Sequence, residues 1–407
     1  MIIVLILLAI IIGAIIYVPK IKRAMAFRES LDLKNIHDTF LHMDENLPIK
    51  KLSQSTTPFH FPREKEITLP LQFQYEEKTY NSSEYLDSSY TQGLLIIQDD
   101  SITYEKYWLG QKEDSPHISW SMAKSYVSAL FGIAMEEGYI KSIDQTVDEY
   151  LPELKGSGYE GIKIKDVLQM STGIKFDETY GDPKSDINRY WEGFVFGKSQ
   201  DKFAATLVNE RPPGTYNEYV SINTHVLGMI IVKATGRSLT NYLQDKIWSP
   251  LGSEHDAYWL ADGQGMEMAL GGLNATLRDY AKIGRLYLNK GNWNGKQIVP
   301  QSWVEESIVS TEEHLLPHSD KSLDPGLGYG YQWWLLDGNE KEFMAIGVFN
   351  QYIYVNPKMK TIIVKNSANK DYYDTENPHS QSLAHVELFR AIAHMSDRLS
   401  STAENTL

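Results

Sequence analysis

The 407-residue chain contains no cysteine. That excludes a disulfide framework, a thiolate nucleophile and a Cys-ligated zinc, and it leaves Ser, Thr, Lys, Tyr or a carboxylate to carry any covalent chemistry. Runs of Lys and Arg are missing too, and the formal net charge is -14. Phosphate binding needs clustered cations to displace counterions, so no nucleic-acid partner is expected. The eleven histidines form no HExxH. His314 and His318 have helical spacing, but Pro317 between them would disrupt that helix, so neither a metal nor another cofactor is expected. Internal repeats and low-complexity tracts are also lacking.

What is present is apolar surface: 42% hydrophobic and 12% aromatic residues, enough for a substantial core. Met1 to Val18 carries no charge, and Pro19, Lys20, Lys22 and Arg23 follow directly. A stretch of this length just spans a bilayer. A cleaved signal would carry its positive charges before the apolar run, and Ala24-Met25-Ala26 sits behind them. Residues 1–23 therefore read as an uncleaved transmembrane anchor, with the lipid bilayer as partner through residues 1–18. Residues 24–62 are mixed and polar and read as a linker or wrapping arm with no visible chemistry.

Beyond the arm, Gly93 to Ile97 and Ile102 to Tyr107, joined by Asp99-Asp100-Ser101, predict a β-hairpin. From Ser121, residues Tyr126, Ala129, Leu130, Ile133 and Ala134 recur at helical spacing, and Gly138 is placed to end the helix. Helical patterns dominate roughly 143–247. Gln351 to Val355 and Thr361 to Val364 predict a second hairpin, followed by a helix from about Ser382 to Ser396. Strands at both ends around a helical middle give a discontinuous α/β domain over 63–400, with a short tail at 401–407.

Ser-x-x-Lys occurs three times, at Ser121, Ser199 and Ser367. Residues three apart on a helix share a face, so the Lys124 amine can reach the Ser121 hydroxyl. Ser199 with Lys202, and Ser367 with Lys370, read as solvated loop. A serine hydroxyl needs a base. Lysine is almost wholly charged at pH 7, and keeping it neutral costs about 4–5 kcal/mol unless burial and neighbours lower its pKa. A third group is needed, and a tyrosine can pass protons while staying neutral. Tyr-x-Ser or Tyr-x-Asn occurs at Tyr80, Tyr126, Tyr219, Tyr287 and Tyr354, so the tripeptide alone does not choose among them; Tyr219, between the Pro213-Gly214-Thr215 turn and an amphipathic helix, occupies a rigid place for such a group.

Ser121-Met122-Ala123-Lys124-Ser125, Pro213-Gly214-Thr215 with Tyr219-Val220-Ser221, and Gly271-Gly272-Leu273 have the order and spacing of the class C β-lactamase-like serine hydrolases. Within these, the chain most resembles the 6-aminohexanoate-dimer hydrolase group. Similar stretches include Leu168 to Gly173, Tyr329 to Trp334 and Gly347 to Gln351, and the likeness runs from about Tyr90 to Ile392. The resemblance implies a β-lactamase/penicillin-binding-protein-like sandwich, an antiparallel sheet flanked by helices, with an inserted helical subdomain. It also implies an acyl-Ser121 intermediate formed from a small amide or ester, with proton transfer shared by Lys124 and Tyr219. Backbone N–H groups of Ser121 and Val348 would form the oxyanion hole, and Tyr180, Ser221 and Gly347 would meet the substrate.

One motif departs from the pattern. Where relatives carry Lys-Thr-Gly or His-x-Gly, this chain has Ala345-Ile346-Gly347, which removes the cation that greets a substrate carboxylate. An uncharged substrate is expected. A D-alanyl-D-alanine peptidase or β-lactamase is the alternative enzyme, and a silent sensor of the same fold the alternative of another class. The charges after the apolar segment favour a cytoplasmic domain, while relatives are often exported; the reading adopted is the outer side. Nothing in the sequence sets the oligomeric state or the natural substrate.

Overall fold

The computed structural model describes residues 2–30, 32–322, 326–374 and 376–395, so the tail at 401–407 and the expected helix end at Ser396 lie outside it. The apolar N-terminus is helix α1, Ile2–Ser30, which passes through Pro19 and beyond Arg23 without a break. Among the described residues no helix is long and apolar enough to cross a membrane. In α1 the charge-free part ends at Val18, and the second half carries Lys20, Lys22, Arg23 and Arg28. That second half docks on the body. The Arg23 guanidinium donates to the Phe196 carbonyl at 3.0 Å, and the Phe27 and Phe196 rings lie 5.6 Å apart.

Residues 24–62 wrap the domain. Helix α2, Ile36–Thr39, leads to the strand Ile49–Leu52, which pairs antiparallel with Ala257–Leu260. Ser55 and Phe59 then donate backbone bonds to Ser253 and Gly252 at 2.9 and 2.8 Å.

The hairpin expected next is β1, Thr91–Gln98, and β2, Ser101–Tyr107. Its turn residues Asp99 and Asp100 both hold positive φ, 45° and 70°, the conformation that two-residue hairpins require and that Asp tolerates. The helical part follows as α3 (Ala123–Glu136), α4 (Asp186–Val195) and α5 (Ser221–Thr235), and then α6 (Leu277–Leu288). The C-terminal strands are β3 (Gly328–Tyr329), β4 (Trp334–Leu335), β5 (Phe343–Gly347), β6 (Gln351–Asn356) and β7 (Thr361–Ser367), and α7 (Ser382–Ala393) closes the domain.

All seven strands form one antiparallel sheet in the order β3-β4-β5-β6-β7-β1-β2, which sets the first strand of the domain beside the last. Side chains alternate across the pleat. Leu95, Ile97, Ile353, Val355, Ile362 and Val364 enter one core with α6, while Leu94, Ile96, Tyr352, Tyr354 and Ile363 enter the other with α7. Helix α6 lies close on the sheet: a Cβ at Gly284 would come within 2.9 Å of Ile362 Cγ2. The buried Gln332 fastens the helical part to the sheet, accepting from Ser125 Oγ at its carbonyl (2.8 Å) and from Thr224 Oγ1 at its amide oxygen (2.5 Å). The N-termini of α3 and α5 and the end of β5 converge beside it.

Candidate active site

Ser121 sits in a 3-10 turn, Trp120–Met122, that feeds directly into α3. Trp120 holds φ at 44°, a strained value for a bulky residue, and this sharp entry presents Ser121 at the head of the helix. Lys124, one helical turn on, is 2% exposed. Its Nζ donates to Ser121 Oγ at 2.8 Å, to the Leu270 carbonyl at 2.8 Å and to Ser221 Oγ at 3.3 Å. Burial lowers the Lys124 pKa to about 7, opposed by the negative charge of Glu178.

Tyr219 lies across from this pair, with Lys124 Nζ 5.1 Å from its ring centre. The ring stacks on Trp334 (5.2 Å between centres, 20° between planes) and meets Tyr329 edge-on. Burial raises its pKa well above 10, with a hydrogen bond to Ser121 opposing. Its phenol is therefore a neutral donor at pH 7. Tyr216, the neighbouring tyrosine in the same loop, lies under the Arg211 guanidinium at 4.7 Å.

Sequence reasoning missed Glu178. Its carboxylate accepts Ser221 Oγ at 2.5 Å, the Ser221 backbone N–H at 3.0 Å and the Tyr180 hydroxyl at 2.6 Å. Burial raises its pKa, and Lys124, Ser221 and Tyr180 work against that rise. The two bonds from Ser221 place the acid at the N-terminus of α5, where the helix dipole favours negative charge. The signal available in the sequence was the demand itself: a buried lysine calls for a nearby charge. The loop that answers it has no periodic pattern and is held by irregular bonds, such as Asn188 Nδ2 donating to the Tyr180 carbonyl at 2.9 Å and the Thr179 backbone N–H donating to Asp177 at 2.9 Å.

Ser121, Lys124, Tyr219, Ser221 and Tyr180 are thus brought together. Val348 follows β5 and closes the ring, with Phe349 and Asn350 turning the chain away at positive φ. Gly347 is what lets the strand end approach the Ser121 segment: a Cβ there would stand 2.5 Å from the Ser119 carbonyl. Gly271 makes the matching approach on the other side, its Cβ position 3.3 Å from the Trp120 carbonyl carbon.

These groups line a cavity of about 660 Å³ that includes Ser121, Glu178, Tyr180, Tyr219, Trp334, Ile346 and Val348. Among the described residues, no Lys, Arg or His lines it. In the departing motif the pleat decides which residue meets that space. Ala345 is buried in the main core, and Ile346 faces the cavity. A second cavity of about 80 Å³ also reaches Ser121 and Val348.

The other Ser-x-x-Lys segments take different places. Ser199 caps a short helix by accepting from the Lys202 backbone N–H, as a loop serine does. Ser367 corrects the expectation of a solvated loop. It is fully buried at the end of β7, and it accepts from Lys365, two residues back on the same face, while Lys370 lies over the Tyr90 ring.

Comparison with known proteins gives a consistent set of matches. The Beta-lactamase family model matches residues 90–385. A 6-aminohexanoate-dimer hydrolase of Paenarthrobacter ureafaciens is 31% identical over 316 residues, 75% of this chain and 80% of its own. A solved Bacillus anthracis structure named "Putative 6-aminohexanoate-dimer hydrolase" superposes with a TM-score of 0.78 at 26% identity, covering 89% of this chain and 95% of that one. A β-lactamase of Yersinia enterocolitica is 22% identical over 237 residues, 52% of this chain and 55% of its own.

Proposed function

The chain belongs to the Beta-lactamase family and is a serine hydrolase; from that premise we propose that it cleaves small uncharged amides or esters through an acyl-Ser121 intermediate. One observation carries the reading: Lys124 Nζ lies 2.8 Å from Ser121 Oγ, in surroundings that bring its pKa to about 7. At that value about half the lysines are neutral at pH 7, against about one in three thousand for an ordinary lysine.

Neutral Lys124 takes the Ser121 proton as Oγ attacks the substrate carbonyl. The C–O bond forms, and the carbonyl oxygen becomes an oxyanion facing the backbone N–H groups of Ser121 and Val348. Tyr219 gives its phenolic proton to the departing nitrogen or oxygen as the scissile bond breaks, and it is reprotonated from Lys124. Water then attacks the acyl-serine by the reverse relay and releases the acid and free Ser121. Tyr219 fits the donor role because burial keeps it protonated. Ser221 and Glu178 orient the lysine. The missing cation speaks against a β-lactamase or D-alanyl-D-alanine peptidase, because Ile346 offers a carboxylate nothing to pair with. Labelling with a fluorophosphonate followed by peptide mapping tests the assignment: modification at Ser121 is expected, and a protein left unlabelled would overturn it.

We further propose that α1 holds the enzyme to a membrane. Supporting this, Ile3, Leu7, Leu8, Ile10, Ile11 and Ile15 are exposed, each more than half accessible, with cationic residues immediately after. The catalytic domain is assigned to the outer face. Retention on membranes through high-salt washing, and digestion of the domain by protease added to intact spheroplasts, are the expected results. Release by salt would remove the anchor, and protection from protease would reverse the orientation.

A further inference from the structure

The two cavities that share Ser121 and Val348 differ in chemistry. The larger contains Tyr219, Glu178 and Trp334, and the smaller contains none of them. The smaller is walled by Phe40, Met43, Trp120, Ile187, Leu270 and Phe349 and has no charged lining residue. Of its polar members besides Ser121, Tyr180 donates its hydroxyl to Glu178, Asn188 spends its amide on the carbonyls of Tyr180 and Asp182 at 2.9 and 2.8 Å, and Thr39 donates to the Asn35 carbonyl at 3.3 Å. The Tyr190 hydroxyl and the Trp120 indole N–H are buried with no hydrogen-bond partner among the described residues.

If Tyr219 protonates the departing group, that group leaves through the larger cavity. The other substituent of the carbonyl carbon must then point to the opposite side of Ser121. We infer that the small cavity is the acyl pocket, shaped for a short unbranched aliphatic chain, and that Phe40 and Met43 of the N-terminal arm determine its depth. This rests on the acyl-Ser121 reading above. The pocket's volume, about 80 Å³ against about 660 Å³ for the larger cavity, limits it to a short chain.

The arm is built into this wall. Phe40 meets the Trp120 ring edge-on at 5.5 Å and the Phe349 ring at 5.1 Å, so it touches the neighbour of the nucleophile and the neighbour of Val348 together. Its carbonyl accepts the Ile118 backbone N–H at 3.1 Å, which fixes its height. Met43 is buried beside it. A segment that reads as a linker thus supplies the floor of a substrate site.

The test is kcat/KM for p-nitrophenyl esters of two to eight acyl carbons, with the acyl-Ser121 adduct followed by mass spectrometry. For the wild type, each added methylene should raise kcat/KM about fourfold until the pocket is filled, and longer chains should then lose at least tenfold. Phe40→Ala and Met43→Ala should move the optimum to longer chains, and Ile187→Phe should move it to shorter ones. The dependence on the leaving group, compared between p-nitrophenyl and phenyl esters, should stay as in the wild type. Equal losses at every chain length, or a changed leaving-group dependence with the acyl optimum unmoved, would overturn the pocket while leaving acyl-Ser121 intact. Failure of every ester to acylate Ser121 would instead overturn the reading on which it rests.

Discussion

Lys124 and Glu178 are joined through a single hydroxyl, that of Ser221, which lies 3.3 Å from the ammonium nitrogen and donates at 2.5 Å to the carboxylate. The two charges are thereby held close, one of them on the base and the other at a helix N-terminus.

This arrangement fixes a pH dependence. Only neutral Lys124 can accept the serine proton, so kcat/KM for an activated ester should rise with pH with a midpoint near 7, where burial has brought this lysine. The Glu178 charge favours the charged form of Lys124, so Glu178→Gln should move the midpoint to lower pH. A midpoint that stays or rises would break the proposed link between the two groups.

Arginine cannot be deprotonated at working pH. Lys124→Arg should therefore lose nearly as much activity as Ser121→Ala, which removes the nucleophile and leaves little void. Both variants should bind substrate analogues and unfold close to the wild-type temperature. Retention of most of the rate by Lys124→Arg would show that another group deprotonates Ser121.

Tyr219→Phe separates the donor role from the base. A p-nitrophenolate departs without a proton, whereas an amine cannot, so amide turnover should fall about 10²- to 10⁴-fold and p-nitrophenyl ester turnover far less. KM should change little for either. Equal losses on both substrates would move the proton to a different donor.

The charge preference is tested at Ile346, because a lysine at 345 would enter the core and one at 346 would enter the cavity. Wild-type protein should hydrolyse a short-chain ester with a higher kcat/KM than penicillin or a chromogenic cephalosporin. A charge-assisted contact contributes about 1.5–3 kcal/mol, so Ile346→Lys should shift the ratio toward carboxylate-bearing substrates by roughly ten- to a hundredfold. A ratio unmoved in this variant would mean that the missing cation is not what excludes them.

Lys365 offers a stability test away from the site. It is fully buried on β7, no carboxylate lies within salt-bridge distance among the described residues, and burial drives its pKa well below 10.5. A lysine with a lowered folded-state pKa binds fewer protons folded than unfolded, so it costs stability at neutral pH. That cost shrinks as pH rises toward the ordinary lysine range. Lys365→Met should raise stability at pH 7 by on the order of 1–3 kcal/mol and flatten the rise in Tm between pH 7 and 10. A lower Tm at pH 7 would show that the amine's bond to Ser367 outweighs its desolvation.

The parts of this molecule that were legible in the sequence are those where local pattern and tertiary role coincide. Ser121 and Lys124 share a helix face, and the Asp99-Asp100 turn announces its own hairpin. Glu178 was not legible because its partners, Lys124 and Ser221, come from distant segments and meet only after packing. The arm was obscure for a related reason: Phe40 lies in no periodic run, and its significance comes entirely from the rings against it. In the Ala345-Ile346-Gly347 strand the absence of a cation could be read directly, but which residue faces the cavity depends on the pleat.

The sheet order carries a consequence in time. Strand β1, near the start of the domain, pairs with β7, near its end, and the Ser121 and Val348 sides of the catalytic centre lie more than two hundred residues apart. At about 5–20 residues per second, the ribosome needs roughly ten seconds or more to add the second half. Until β5 and β7 arrive, the emerging chain has a serine and a lysine but only one of the two proposed oxyanion donors, and the β7 edge of β1 is unpaired. On the proposed mechanism the catalytic centre is complete only when the last strand is laid down, and a chain truncated before β7 is expected to be inactive however well its first helices fold.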